Sequence, residues 1–350
     1  MNPFAFGSYP LALNLALFTV SAAVVWVAGT RVSRYADRIA QVSGLGHAAV
    51  GLVLLAGITS LPEIAVTTTA SAGGNASLAV NNLLGSVAMQ VAVLAVADFV
   101  IRRDALTSVI PDPAVLAQGT LNILTLAVVA AAVIVGDVAL AGIGMWSWGL
   151  LAFYLVSVRI VTLAPGKKGW VGKGDAGAAA SDEASTGALA ALSLRALIAR
   201  TALAALAILA AGFLLAKTGE SIARQSGLGQ SLGGFVLVAV ATSLPEVSTV
   251  FEAVRLRRYV MAVSGIFGTN LLNGGLIFLA DVVYRGPPVL NEVGPFSAFA
   301  SLLGIAVTAI FLTGLVERRD RTVLRMGIDS IAVLVVYAGG LLILYRLSPA

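Results

Sequence analysis

Thr59-Ser60-Leu61-Pro62-Glu63 places a carboxylate inside an otherwise apolar run, Ala48 to Ala70. At about 1.5 Å rise per residue, that run is long enough for one membrane crossing. A charged side chain at such depth costs about 2.5–3.5 kcal/mol on insertion scales, which marks Glu63 as a functional residue by default. The same five residues return 183 positions later as Thr242-Ser243-Leu244-Pro245-Glu246, again inside a hydrophobic segment. One such pentapeptide is unremarkable; two in equivalent settings indicate an internal duplication.

The duplication is wider than the pentapeptide. At the same offset, Ser43-Gly44-Leu45-Gly46 meets Ser226-Gly227-Leu228-Gly229, and Gly51, Gly85 and Asp98 meet Gly234, Gly268 and Asp281. Between Ile39 and Val100, 22 of 62 aligned positions are identical without a gap. Ser86 and Thr269, and Gln90 and Asn273, match in kind. Repeated halves of this sort are a hallmark of secondary transporters.

Composition fixes the class. The 350 residues are 59% hydrophobic and 11% charged, with mean hydropathy +0.96. Soluble domains carry about 25% charged residues, so the expected fold class is an all-α integral membrane protein. With no cysteine, disulfides, thiolate metal sites and a cysteine nucleophile are excluded. The net charge of +5 is read as loop charge rather than as a nucleic-acid surface.

Apolar windows predict ten helices: Leu11–Gly29, Ala48–Ala70, Leu78–Val100, Val115–Val135, Val138–Val161, Thr201–Ala216, Leu228–Val254, Tyr259–Tyr284, Pro295–Val316 and Gly327–Leu347. The first and sixth are expected to continue into Arg31–Val42 and Lys217–Gln225. Of the 22 Lys and Arg, 18 fall in or beside the loops after the odd-numbered helices. By the positive-inside rule both termini face outward and the central loop is cytoplasmic, in a plasma (inner) membrane of prokaryotic type. An odd number of helices per half makes the halves inverted five-helix repeats. The expected organisation is residues 1–161 as the first repeat, 162–196 as a Gly/Ala/Ser-rich linker and 197–350 as the second repeat. The motif-bearing regions are about 43–98 and 226–281.

Thr59 and Glu63, four apart, share a helical face. Pro62 has no N–H, so the Ile58 carbonyl is expected to lose its helical partner. Thr242, Ser243 and Glu246 repeat the arrangement with the Ala241 carbonyl. On the next helix of the first half, Asn82, Ser86 and Gln90 form a facing stripe; Gly265, Thr269 and Asn273 stand at the equivalent positions. Carboxylates, hydroxyls, amides and carbonyls are hard oxygen donors, suited to Ca²⁺ or Na⁺ and not to a soft transition metal. Asn82 is read as interhelical hydrogen-bond glue, and Asp98 and Asp281 as ion pairs with Arg102 and Arg285. Glu252 is read as lying beside Arg255, and His47 as a polar helix start.

At these motifs each half resembles an alpha-repeat of the sodium/calcium exchanger (cation/Ca²⁺ antiporter) superfamily. That family carries a Gly-Thr-Ser-Leu-Pro-Glu-like motif on one helix and a looser Asn/Gly/Ser motif on the next. The resemblance implies that Glu63 and Glu246 are central Ca²⁺ ligands, and that Thr59, Ser60, Ser86, Gln90, Thr242, Ser243, Thr269 and Asn273 complete Ca²⁺ and Na⁺ sites. The family's usual Asn or Asp is replaced here by Gln90, and Val87 stands where an amide follows the serine, so the site has two carboxylates. The implied activity is Na⁺/Ca²⁺ antiport by alternating access, with helices one and six moving against a fixed core. The alternative is Ca²⁺/H⁺ or other cation/H⁺ antiport, ahead of a channel or a non-transporting sensor. The expected partners are the transported ions and the lipid bilayer, with no resident cofactor. An enzyme is disfavoured because neither helix pair supplies a His or Lys base for Ser60 or Ser243.

Overall fold

The computed structural model describes residues 6–44, 46–101, 105–110, 112–163, 192–225, 240–317, 322–323 and 326–347. Most of the central linker and the start of the expected Leu228–Val254 helix, including the second Ser-Gly-Leu-Gly stretch, lie outside the described residues. The chain is nearly all helical. In order, the helices are α1 (Leu11–Ser43), α2 (His47–Thr59), α3 (Leu61–Ala72), α4 (Ala76–Ile101), α5 (Pro113–Val135), α6 (Met145–Leu163), α7 (Leu194–Gln225), α8 (Leu244–Arg255), α9 (Tyr259–Val283), α10 (Pro295–Glu317) and α11 (Ile328–Leu347). Among the described residues eight helices are long and apolar enough to cross a membrane, or nine with α2 and α3 taken as one bent span.

The expected extension of the first and sixth helices is present: α1 runs 33 residues to Ser43 and α7 runs 32 to Gln225. Gly44 ends α1 with φ 70°, the left-handed conformation that glycine adopts without a Cβ clash. The fifth helix differs from its expected span, Val138–Val161. A two-residue hairpin pairs Ala139–Leu140 with Ile143–Gly144, and α6 begins only at Met145. An equivalent hairpin, Thr322–Val323 with Met326–Gly327, precedes α11. Apolar composition alone cannot separate such a hairpin from the helix it precedes.

Asp98 and Asp281 explain why the hairpins sit where they do. Asp98 accepts the backbone N–H groups of Leu106 (2.6 Å) and Gly327 (2.7 Å). Asp281 accepts those of Val289 (3.0 Å) and Gly144 (2.8 Å), and the Ser147 hydroxyl (2.6 Å). Each aspartate thus bonds the turn that follows its own helix and the hairpin of the other half. Both are buried, so the expected ion pairs give way to backbone hydrogen bonds. Arg102 lies outside the described residues, and Arg285 forms no ion pair with Asp281 among them. A carboxylate accepting several N–H groups is a charge-assisted anchor that needs no cation.

The core is built on α4 and α9, whose spans are 78% and 72% buried; α1, α6 and α11 are each 22% buried and form the rim. Opposite α9, residues Gly51–Leu55 of α2 wind as a π-helical segment, a local widening common at functional sites. A Cβ on Gly268 would lie 2.7 Å from the Leu52 Cα and carbonyl oxygen, and one on Gly51 would lie 2.8 Å from the Ser264 Cβ. The two glycines therefore set how closely α2 and α9 approach. Gly268→Val should lower the thermal stability of the detergent-solubilised protein by about 1–3 kcal/mol or more, as overpacking does. Gly57→Val, at a site with open space around it, is the control. Equal melting of the two variants would contradict this account of the crossing.

Candidate ion-binding site

Both pentapeptides fold the same way. Ser60 (φ −78°, ψ 2°) and Ser243 (φ −88°, ψ 5°) leave the helical path at matching points, and α3 and α8 start one residue later with Pro62 and Pro245 in their first turns. Proline is tolerated there because those N–H groups lack intrahelical partners anyway. The break bends α2 against α3 by 46°. At the break the Ser60 N–H bonds the Ala56 carbonyl at 3.0 Å and the Ile64 N–H bonds the Ser60 carbonyl at 2.9 Å, while Pro62 has no N–H to offer the Ile58 carbonyl. Glu63 and Glu246 follow in the first turn of α3 and α8, where the partial positive charge of a helix N-terminus favours an anion.

All ten residues singled out in the sequence are at most 2% exposed. Thr59 and Thr269 meet across the two halves with their hydroxyl oxygens 3.3 Å apart. Thr59 and Glu246 line one small cleft together with Thr249 and Gly265. Ser86 donates to the Asn82 carbonyl of its own helix at 2.9 Å, which leaves its oxygen free to accept. Thr242 is buried beside Ser243. The other six have side-chain polar atoms without a hydrogen-bond partner among the described residues: Ser60 and Ser243, Glu63 and Glu246, Gln90 and Asn273. These are three pairs related by the 183-residue offset.

Leaving one buried polar group unsatisfied costs about 1–3 kcal/mol, and more for a charged one. Symmetric repetition of that cost in both halves is not a packing accident. The donor set is two carboxylates, six hydroxyls and two amides. Among the described residues no group of three or more His, Cys, Asp or Glu is assembled. Such a set fits a hard cation and not a thiophilic or imidazole-bound metal.

Some polar residues at this depth were not evident from the motifs. Thr67 and Ser71 follow Glu63 on α3 and are buried, and Asn270 is buried beside Thr269; all have unpartnered side-chain atoms. The signal for the first two is their spacing of four and eight from Glu63. Asn82 was expected to hydrogen-bond between helices, but its Nδ2 has no partner among the described residues. Glu252 pairs with Arg34 of α1 at 2.6 Å rather than with Arg255. His47 does begin α2, and it also contacts Asp37 at 3.0 Å.

The fold is shared with solved structures of the sodium-calcium exchanger NCX_Mj. One soaked with 10 mM Na⁺ and zero Ca²⁺ superposes with a TM-score of 0.67 at 17% identity, over 95% of this chain and 99% of that one. Another, soaked with 100 mM Na⁺ and 10 mM Sr²⁺, gives 0.68 at 16% identity over the same shares. At that identity the likeness speaks for fold alone. No curated protein matches the chain. A family model described as sodium/calcium exchanger protein matches residues 13–163 and again 196–346, which is most of the chain in two repeats. The chain therefore belongs to the sodium/calcium exchanger family, a family of integral membrane cation antiporters rather than enzymes.

Proposed function

We propose that the protein exchanges Ca²⁺ for Na⁺ at one central site built from both halves, with Glu63 and Glu246 as the charged ligands. Thr59, Ser60, Ser86, Gln90, Thr242, Ser243, Thr269 and Asn273 supply the neutral oxygens. The observation that carries this reading is the three symmetric pairs of buried, unpartnered side chains at Ser60/Ser243, Glu63/Glu246 and Gln90/Asn273. The mechanism is alternating access in an inverted pair of five-helix repeats, with α1 and α7 moving against α4 and α9. In support, α1 and α7 pack along each other and are far less buried than α4 and α9.

Charge counting bounds the stoichiometry. Two ionised carboxylates give the site −2, which one Ca²⁺, two Na⁺ or two protons neutralise. Three Na⁺ would leave +1 to be carried through a medium of low dielectric. The many hydroxyl and amide oxygens favour a site that dehydrates Na⁺.

In proteoliposomes, an outward Na⁺ gradient at constant pH should drive Ca²⁺ uptake, and acidification should inhibit it because protons compete for the same carboxylates. Uptake that ignores Na⁺ and follows an imposed pH gradient would instead make the protein a Ca²⁺/H⁺ antiporter. Ca²⁺ indifferent to both gradients would remove Ca²⁺ as the substrate.

A further inference from the structure

After the break at Ser60, the fully buried residues of α3 are Pro62, Glu63, Thr67 and Ser71. Glu63, Thr67 and Ser71 are spaced at i, i+4 and i+8 and so form one stripe from the central site toward the Gly73–Gly74 turn. Neither the Thr67 nor the Ser71 hydroxyl has a hydrogen-bond partner among the described residues.

That is unusual for helical hydroxyls, which normally bond the carbonyl one turn back. The same helix shows the bond is available: Thr68 donates to the Ile64 carbonyl at 2.7 Å and Thr69 to that of Ala65 at 2.8 Å. Thr68 and Thr69 point away from the stripe. Thr67 and Ser71, buried where the penalty for an unmet polar group is highest, forgo the bond. On the neighbouring α4, Asn82 adds a buried amide that is also unpartnered at Nδ2.

The stripe is not a general feature of the fold. In the second half the equivalent positions of Thr67, Ser71 and Asn82 are Val250, Val254 and Gly265, which carry no side-chain polar atom. The equivalent helix α8 therefore carries no hydroxyl at the positions of Thr67 and Ser71.

We propose that Thr67 and Ser71 form a charge-neutral cation access site for Na⁺, one to two helical turns from Glu63 toward the Gly73–Gly74 turn. This rests on the antiporter reading above. With no carboxylate of its own beyond Glu63, the stripe cannot replace the hydration shell of a divalent ion. It can take a monovalent ion that keeps part of its water, and so it gives Na⁺ a route that the second half lacks.

The test is Thr67→Val with Ser71→Ala, in membrane vesicles of defined orientation. Thr67→Val keeps the shape and installs the residue type found at Val250. With Na⁺ supplied from the face of the Gly73–Gly74 turn, half-saturating Na⁺ should rise about fivefold per hydroxyl removed. With Na⁺ from the opposite face it should not change, and the thermal shift produced by Ca²⁺ should match wild type. Unchanged Na⁺ dependence on both faces, or an equal rise on both, overturns the access site while wild-type exchange leaves the antiporter reading standing. Wild-type protein with no Na⁺-driven Ca²⁺ flux overturns both.

Discussion

Glu63→Gln and Glu246→Gln should each reduce Ca²⁺ exchange by at least about 100-fold while the protein still folds and inserts. The change is isosteric, so packing around α3 and α8 is kept and only the charge is lost. A unit-charge pair about 4 Å apart in an effective dielectric of about 20 is worth about 4 kcal/mol, and a divalent ion doubles the charge on one side. Retained water and rearrangement of the remaining oxygens offset part of that loss. Ser60→Ala and Ser243→Ala remove only a neutral ligand and should cost about fivefold.

Radiotracer Ca²⁺ flux measures the first effect, and the Ca²⁺-induced shift in melting temperature separates binding from turnover. If the two glutamates were merely structural carboxyls, each glutamine variant would transport normally. Wild-type flux in either one sinks the assignment. That bland reading is already difficult physically, because a structural carboxyl at this depth needs close protein partners; Glu246 has only the Thr59 hydroxyl beside it and the Glu63 oxygens have no hydrogen-bond partner among the described residues.

What could be read from the sequence was what local chemistry and periodicity encode. The offset of 183 aligned the two pentapeptides, and the structure breaks both helices at the same serine with nearly the same dihedrals. The helical spacing of Ser86 and Gln90 put them on one face, and both are buried. What could not be read was long-range partner choice. Asp98 sits four residues from Arg102 in sequence, yet it accepts the N–H of Gly327, 229 positions away. Glu252 is three residues from Arg255, yet it takes Arg34. In each case a charged neighbour in sequence suggested an ion pair, and a partner brought in by tertiary packing satisfied the carboxylate instead. The hairpin before α6 was hidden for a different reason: its residues are apolar enough to pass as helix.

Arg258→Gln should release α1 from the second half and expose the surface beneath it. The Arg258 Nε donates to Asp37 Oδ1 at 2.6 Å, with side-chain exposures of 16% and 7%. Gln41 and His47 complete the ring around Asp37, and Arg34 adds its own contact to Glu252. Together these tie α1 to the corner between α8 and α9. The symmetry-related positions of Arg258 and Glu252 are Asn75 and Thr69, which carry no charge, so this pairing is not repeated at the equivalent positions. An alternating-access cycle that moves α1 has to break it. Removing one partner of a fully buried ion pair costs about 3–5 kcal/mol; with Gln41 and His47 still bonding Asp37 and Arg258 partly exposed, the loss here is about 1–3 kcal/mol. The conformation described here would lose that amount relative to one with α1 displaced, a change of about 5- to 150-fold in their ratio. The chain has no native cysteine, so Ser33→Cys gives a clean probe: Ser33 lies fully buried on the inner face of α1 and donates to the Thr249 carbonyl at 3.2 Å. Thiol labelling of Ser33→Cys should accelerate at least about fivefold when combined with Arg258→Gln, and Arg258→Lys should restore much of the protection. Labelling at the same rate in both backgrounds would mean that the contact does not hold α1 in place, and that its motion is governed by the apolar packing against α7 alone.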